Sequence, residues 1–316
     1  MDQSNNQVIQ GRIYQALSGF YYVETSEGLI TTKPKGLFRH EKLKPLVGDQ
    51  VLVELDSKSS QDPATITEIL PRINEFLRPP LANLDQAIIV MSLIEPDFSY
   101  NLLDYFLVMV ESYHIRPLIY LSKYDLLVQE KGEKDAEKLV SKIKKIYKAV
   151  GYQILLSCEP MSFLLNLLSE ESGQLWAVMG QSGVGKSTLL NKLLPQANIE
   201  TSAISQSLNR GRHTTREVTL YPVGEALIAD TPGFSAIDHQ QIESSEEVQT
   251  YFPEINAASQ FCKFRSCIHI KEPNCQVKKE LEEGKIAESR YKNYVDIVEK
   301  IEQRKPDYGK VKKGRK

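Results

Sequence analysis

Three regimes of hydrophobic and polar spacing follow one another along the 316 residues. In the first, over residues 1–70, short alternating or β-branched runs (GFYYVET, GLITTK, DQVLVEL, ATITEIL) are separated by Gly, Asp, Pro and Ser. Each reads as a half-buried strand. Four or five such strands predict a small β-barrel of OB-fold type, although the spacing alone fits an SH3-like barrel equally well. The stretch ILPRINEFLRPP (69–80) supplies a Pro-bounded linker, set at 71–80.

From residue 81 the period changes. QAIIVMSL (86–93) is a continuous apolar run suited to a strand buried on both faces. A helical stretch at 100–113 leads to the strand RPLIYLS (116–122), a charged amphipathic helix over 132–149, the strand YQILLS (152–157) and a helix at 161–170. The strand QLWAVMG (174–180) then runs into a Gly-rich loop and the helix KSTLLNKLL (186–194). EVTLYPV and EALIAD (217–230) flank Gly224 as a hairpin. Alternating strands and helices predict an α/β domain with a parallel sheet over 81–238. The remaining residues, 239–316, combine a Cys/His cluster with a helical stretch of roughly 277–304, in which Tyr291, Tyr294, Val298 and Ile301 recur at helical spacing.

The Gly-rich loop carries specific chemistry. Gly180-Gln181-Ser182-Gly183-Val184-Gly185-Lys186-Ser187, followed by Thr188, satisfies G-x-x-x-x-G-K-[ST] between a predicted strand and a predicted helix. Glycines let consecutive backbone N–H groups face phosphate oxygens, and the helix N-terminus adds its dipole. Lys186 is the expected bridge between β- and γ-phosphates, and Ser187 the expected Mg²⁺ ligand. DTPGF (230–234) follows an apolar strand, so Asp230 is expected to hold Mg²⁺ through water and the Gly233 amide to sense the γ-phosphate. Between them, NRGRHTTREV (209–218) has the polar character of a switch, with Thr215, or its neighbour Thr214, completing the Mg²⁺ shell.

LIYLSKYDLL (118–127) addresses the base. Guanine presents two adjacent donors that one carboxylate can accept, a role suited to Asp125, with the Lys123 stem over the ring. Tyr124 lies between them, and Ser122 stands where GTPases usually carry Asn. Its side chain is shorter, and the expectation is that it cannot span base and phosphate loop as an Asn amide does. Ser157-Cys158, ending the next strand, resembles the box in which a backbone N–H reaches guanine O6. Base boxes therefore precede the phosphate loop, a circular permutation of the usual GTPase order, which the proximity of domain termini allows.

Four cysteines are too few for a disulfide scaffold, and three crowd into 262–275. Cys262, Cys267, His269 and Cys275 suit one closed, structural Zn²⁺ site of Cys₃His type, while Cys158 is not expected to be a ligand. Lys263, Arg265 and Lys271 decorate that loop, and residues 304–316 carry seven Lys/Arg against one Asp. The net charge of −2 gives no global nucleic-acid signature, so any RNA contact must come from such local patches, with Phe20, Tyr21 and Tyr22 as further candidates. No apolar run approaches membrane-spanning length and no signal-peptide core is present, so a cytoplasmic protein without membrane contact is expected.

The permuted order, together with GQSGVGKST, GRHTT, DTPGF, the β-rich N-terminus and the Cys/His cluster, closely resembles the ribosome small-subunit-dependent GTPase family (RsgA/YjeQ type). The resemblance covers nearly the whole chain. It implies an OB-fold that contacts small-subunit rRNA, a central permuted GTPase and a zinc domain. It also implies a role late in small-subunit maturation, with GTP hydrolysis stimulated by that subunit; a monomer is expected. Phe234 occupies the position where many GTPases place a water-orienting Gln, so hydrolysis by the free protein should be slow. His213 is the candidate to polarise water; the alternative is a solvent-facing loop histidine. Two functions remain open: a GTPase whose turnover times its release, and an rRNA-binding assembly factor in which hydrolysis is incidental.

Overall fold

The computed structural model describes residues 7–40, 43–55, 63–77, 79–170, 172–195, 218–230 and 241–304. Two compact units result, one of Met1–Phe98 with Tyr113–Ala236, the other of Ser99–Ser112 with Ile237–Lys316.

The first unit opens with strands β1 (Gln7–Leu17), β2 (Phe20–Thr25), β3 (Gly28–Pro34), β4 (Gln50–Leu55) and β5 (Ala64–Ile69), with a single helical turn, α1 (Leu37–His40), before β4. Their order is β1-β2-β3-β5-β4, and β4 pairs back onto β1 to close a barrel. Long β1 makes this possible, because Gln7–Arg12 face β4 while Gly11–Leu17 face β2. The parallel β3–β5 pair is the OB-fold arrangement, which decides between the two barrels that spacing left open. Ile13, Tyr21, Val23, Val51, Val53 and Ile66 fill the interior. Alternation therefore sends Tyr21 into the core and leaves Phe20 and Tyr22 on the outer face, with the Lys33 ammonium 4.7 Å from the Phe20 ring centre.

The segment read as a linker carries a short hairpin, β6 (Glu75–Leu77) with β7 (Pro80–Ala82). Beyond it lie β8 (Gln86–Ser92), β9 (Arg116–Ser122), β10 (Gln153–Leu156), β11 (Leu175–Met179), β12 (Thr219–Val223) and β13 (Ala226–Asp230), in the order β10-β9-β8-β11-β13-β12. All neighbours are parallel except the β12–β13 hairpin. The unit's helices in this region are α3 (Tyr124–Lys131), α4 (Glu133–Ala149), α5 (Met161–Leu168) and α6 (Lys186–Leu193). Leu164 and Leu168 of α5 and Leu189, Leu190 and Leu193 of α6 join Ile88, Val178 and Ile228 of the sheet in one core.

The second unit combines α2 (Tyr100–Ser112) with a 3-10 turn at Glu246–Tyr251 and helices α7 (Pro253–Ser259), α8 (Gln276–Glu282) and α9 (Glu288–Glu302). Tyr105 and Val108 of α2 pack with Phe252, Ile255, Val277, Tyr294, Ile297 and Val298. At its centre the fully buried Arg290 donates to Asp104 at 2.6 Å and to Glu254 at 2.7 Å, and lies 4.4 Å from the centre of the Phe252 ring. Asn293 donates to the second Asp104 oxygen at 2.6 Å, so both carboxylate oxygens are satisfied. The expected continuous helix over 277–304 is instead two helices. Gly284 takes φ +71°, and the N–H groups of Gly284, Lys285 and Ile286 fold back onto the carbonyls of Leu281 and Glu280, closing α8 in a glycine C-terminal cap.

Candidate nucleotide site and metal centre

Strand β11 is buried along its whole length and delivers the phosphate loop to the carboxyl edge of the sheet. Gly180, at φ +143°, passes so close to β8 that an added Cβ would lie 2.4 Å from the Val90 carbonyl oxygen. Val184 turns into the core and pins the loop from below, while Gln181, Ser182 and Gly183 remain exposed. Gly185, left-handed at φ +97°, starts α6, whose first N–H groups and dipole then face the loop. The Lys186 ammonium donates to the carbonyls of Gly180 (2.8 Å) and Gln181 (2.5 Å), and burial lowers its pKa below the usual lysine value. Ser187 is half-buried on the first turn of α6, with Thr188 exposed beside it.

Two strands away, the buried Ser122 ends β9. Its hydroxyl donates to the Val184 carbonyl at 2.5 Å, which joins this strand end directly to the phosphate loop. Serine therefore bonds the phosphate loop from this strand end, a local contact rather than the span of base and loop that an Asn amide makes. With the loop backbone drawn down by Val184, one Cβ–Oγ arm is enough. Lys123 adopts φ +58° as the residue preceding α3, and its ammonium hydrogen-bonds the Glu95 carbonyl. That turn places Asp125 in the first turn of α3, exposed. Ser157 couples the two base boxes: its N–H donates to Leu121 at 2.8 Å, and its hydroxyl accepts from the Tyr124 N–H at 3.2 Å. The neighbouring Glu159 holds the turn by accepting from the Leu156 N–H and pairing with Lys144, while Cys158 is exposed.

The loops after β10, β9 and β11 thus lie along one sheet edge, and Asp230 ends β13 on the far side of β11. The Asp230 side chain, His213, Thr214, Thr215, Gly233 and Phe234 lie outside the described residues. Sequence reasoning missed α3 and the Ser122–Val184 bond. The signal for the former was the Asp125-Leu126-Leu127 start of a helical turn directly after a strand.

In the second unit, the ligand atoms of Cys262, Cys267, His269 and Cys275 all lie within 4.8 Å of one another. The Cys262 and Cys275 sulfurs are 3.8 Å apart, and His269 Nδ1 lies 3.5 Å from the former and 3.3 Å from the latter. A tetrahedron with Zn–S of about 2.3 Å and Zn–N of about 2.0 Å requires S–S near 3.8 Å and S–N near 3.5 Å, so the donor set fits such an ion. His269 Nε2 is 2.8 Å from Gln249 Oε1, an acceptor, which fixes the proton there and leaves the Nδ1 lone pair facing the thiols. Burial lowers the His269 pKa and pushes the Cys267 thiol up to about 12. Glu272 accepts from the N–H groups of Ile268, Ile270 and Lys271, and the Tyr291 and Tyr294 hydroxyls donate to the His269 and Ile268 carbonyls. These contacts hold the ligand loop.

A strand–loop–helix phosphate site on a parallel sheet, reached only after the strands that carry the base boxes, defines a P-loop GTPase with circularly permuted motifs. Family comparison gives the same class: the RsgA GTPase family matches residues 69–240 and the RsgA N-terminal domain matches 10–61. The small ribosomal subunit biogenesis GTPase RsgA of Enterococcus faecalis is 48% identical over 302 residues, 96% of this chain and 98% of that protein. Its namesake in Bacillus cereus is 47% identical over 300 residues, 95% and 99% of the two chains. The crystal structure of YloQ, a circularly permuted GTPase, superposes with a TM-score of 0.79 at 36% identity, covering 98% of this chain and all (100%) of that one. YjeQ from Thermotoga maritima gives 0.77 at 32% identity, covering 95% and 100%. The chain belongs to the RsgA GTPase family and is a GTP-hydrolysing enzyme.

Proposed function

We propose that this chain is a GTPase of small ribosomal subunit biogenesis that docks on small-subunit rRNA and is stimulated by that subunit. The names of the Enterococcus and Bacillus relatives, small ribosomal subunit biogenesis GTPases, support the pathway. The observation that carries the nucleotide assignment is the Ser122–Val184 bond, which sets the base boxes and phosphate loop at one sheet edge. In this reading the loop amides from Gly180 to Thr188 cradle the phosphates, and Lys186 leaves the Gly180 and Gln181 carbonyls for the β- and γ-phosphates. Asp125 accepts guanine N1–H and N2–H, the Lys123 and Tyr124 turn covers the base, and the Ser157-Cys158 backbone meets O6. Ser187, Thr215 and Asp230 would hold Mg²⁺, which would supply positive charge beside the γ-phosphate. Gly233 reports the γ-phosphate and His213 accepts a hydrogen bond from the attacking water. Cys262, Cys267, His269 and Cys275 would hold Zn²⁺ in a structural role, since four protein donors leave no open position.

Among the described residues no helix is long and apolar enough to cross a membrane; the proposed protein works as a monomer in the cytoplasm. Cosedimentation with purified small and large subunits, in GDP and in a non-hydrolysable GTP analogue, tests the assignment together with turnover assays. Small-subunit binding favoured by the analogue and strongly stimulated hydrolysis are expected. Nucleotide-gated binding without stimulation would instead identify an assembly factor in which hydrolysis is incidental.

A further inference from the structure

Two phenylalanines of the metal-ligand loop have no place in the core. Phe261 is 77% exposed and Phe264 43% exposed, although the second unit has an apolar interior in which Phe252 is completely buried. They are not on a loose strand. Phe261 directly precedes the ligand Cys262, and its N–H donates to the Ala258 carbonyl at 3.1 Å, while the Cys262 N–H donates to Ser259 at 3.0 Å. The Phe264 carbonyl accepts from the N–H of Cys267, a second ligand, at 3.3 Å. Both rings therefore project from backbone fixed at the end of α7 and within the ligand cage, so little freedom would be lost when something packs on them.

The surroundings state what that something is. Residues 261–271 contain Lys263, Arg265 and Lys271 and no acidic side chain. Lys263 and Arg265 are exposed, and the Lys263 ammonium lies 5.7 Å from the centre of the Phe264 ring. Exposed rings interleaved with cations are the elements by which proteins hold unpaired nucleotides, the rings stacking on base faces while cations meet the phosphates. An apolar protein partner would satisfy the rings but leave the cations without complement. Double-stranded RNA would satisfy the cations but keep its bases stacked away from the rings.

We infer that Phe261 and Phe264 form a base-stacking platform for unpaired nucleotides of RNA, with Lys263 and Arg265 on the adjoining phosphates; this rests on the RNA-docking reading above and adds that its target is single-stranded. The test uses the full chain with fluorescein-labelled dodecauridine and a twelve-base-pair RNA duplex, titrated at several salt concentrations. Phe261→Ala and Phe264→Ala should each weaken dodecauridine binding roughly tenfold, with no change in the salt slope and no loss of duplex binding. Lys263→Ala and Arg265→Ala should each lower the single-strand slope by about 0.7. Phe261→Trp should keep wild-type affinity or better, and unchanged metal content and thermal unfolding exclude a collapsed loop. Wild-type dodecauridine affinity in both alanine variants, or equal losses for strand and duplex, overturns the inference and leaves RNA docking intact. Variants that bind dodecauridine normally yet lose the small subunit would show that the rings meet a protein, which also overturns it. A wild-type chain that binds neither RNA removes the docking reading and this inference together.

Discussion

Replacing Ser122 with alanine removes one hydrogen-bond donor and tests how far the phosphate loop depends on the base side of the site. Ser122 is 5% exposed and Val184 1%, so water cannot readily take the hydroxyl's place against the Val184 carbonyl. Depriving a buried carbonyl of its donor costs about 1–3 kcal/mol. Where the loop conformation held by this bond is the one that binds nucleotide, the cost appears as affinity, about 5- to 150-fold weaker at 1.4 kcal/mol per decade. Titrating fluorescent GTP and GDP analogues against Ser122→Ala, with Ser122→Thr as the variant that keeps a hydroxyl, measures it. The loss should be similar for both nucleotides, and preference for guanosine over adenosine triphosphate should persist because Asp125 is untouched. Binding by Ser122→Ala within twofold of the wild type would refute the coupling.

Asp125→Asn should shift preference from GTP toward xanthosine triphosphate, whose ring replaces one donor by an acceptor, as competition binding would reveal. Asp104→Ala removes a buried carboxylate partner from the fully buried Arg290 and should cost about 3–5 kcal/mol, lowering the second unit's melting temperature by roughly 10–30 °C in calorimetry. GTP affinity should be far less affected. Gln249→Leu frees the His269 tautomer and should weaken zinc retention against a chelator roughly 10- to 100-fold.

What could be read from the chain depended on the range of the interaction concerned. The phosphate loop was legible because strand, glycines and helix are contiguous, and the Cys₃His cluster because its four side chains fall within 14 residues. The type of barrel was not legible. It rests on the β1–β4 closure and the parallel β3–β5 pair, which join distant segments that spacing cannot relate. Helix α3 escaped because its first turn follows a strand without a pause and its face is mostly polar. The break at Gly284 escaped because the apolar positions at 291–301 extend the pattern seamlessly past a single glycine. Placement of α2 in the second unit is the largest gap. Asp104, in the middle of an apolar helix, marked the need for a distant cation, but nothing local named Arg290.

That pair also sets a timetable for synthesis. Asp104 and Arg290 are 186 residues apart, so at about 5–20 residues per second the acid emerges roughly 10–40 s before its cation exists. For most of that interval α2, buried at most of its positions in the finished unit, has none of α7, α8 or α9 to cover it, and α9 is missing until its end. Nascent chains halted short of Arg290 should therefore expose Tyr105 and Val108 to proteolysis or chaperone capture, and full-length released chains should not. Equal protection of α2 in both would mean that it is shielded by other means. An enzyme grouped here with ribosome assembly factors thus finishes one of its own units only when its last helix has been made.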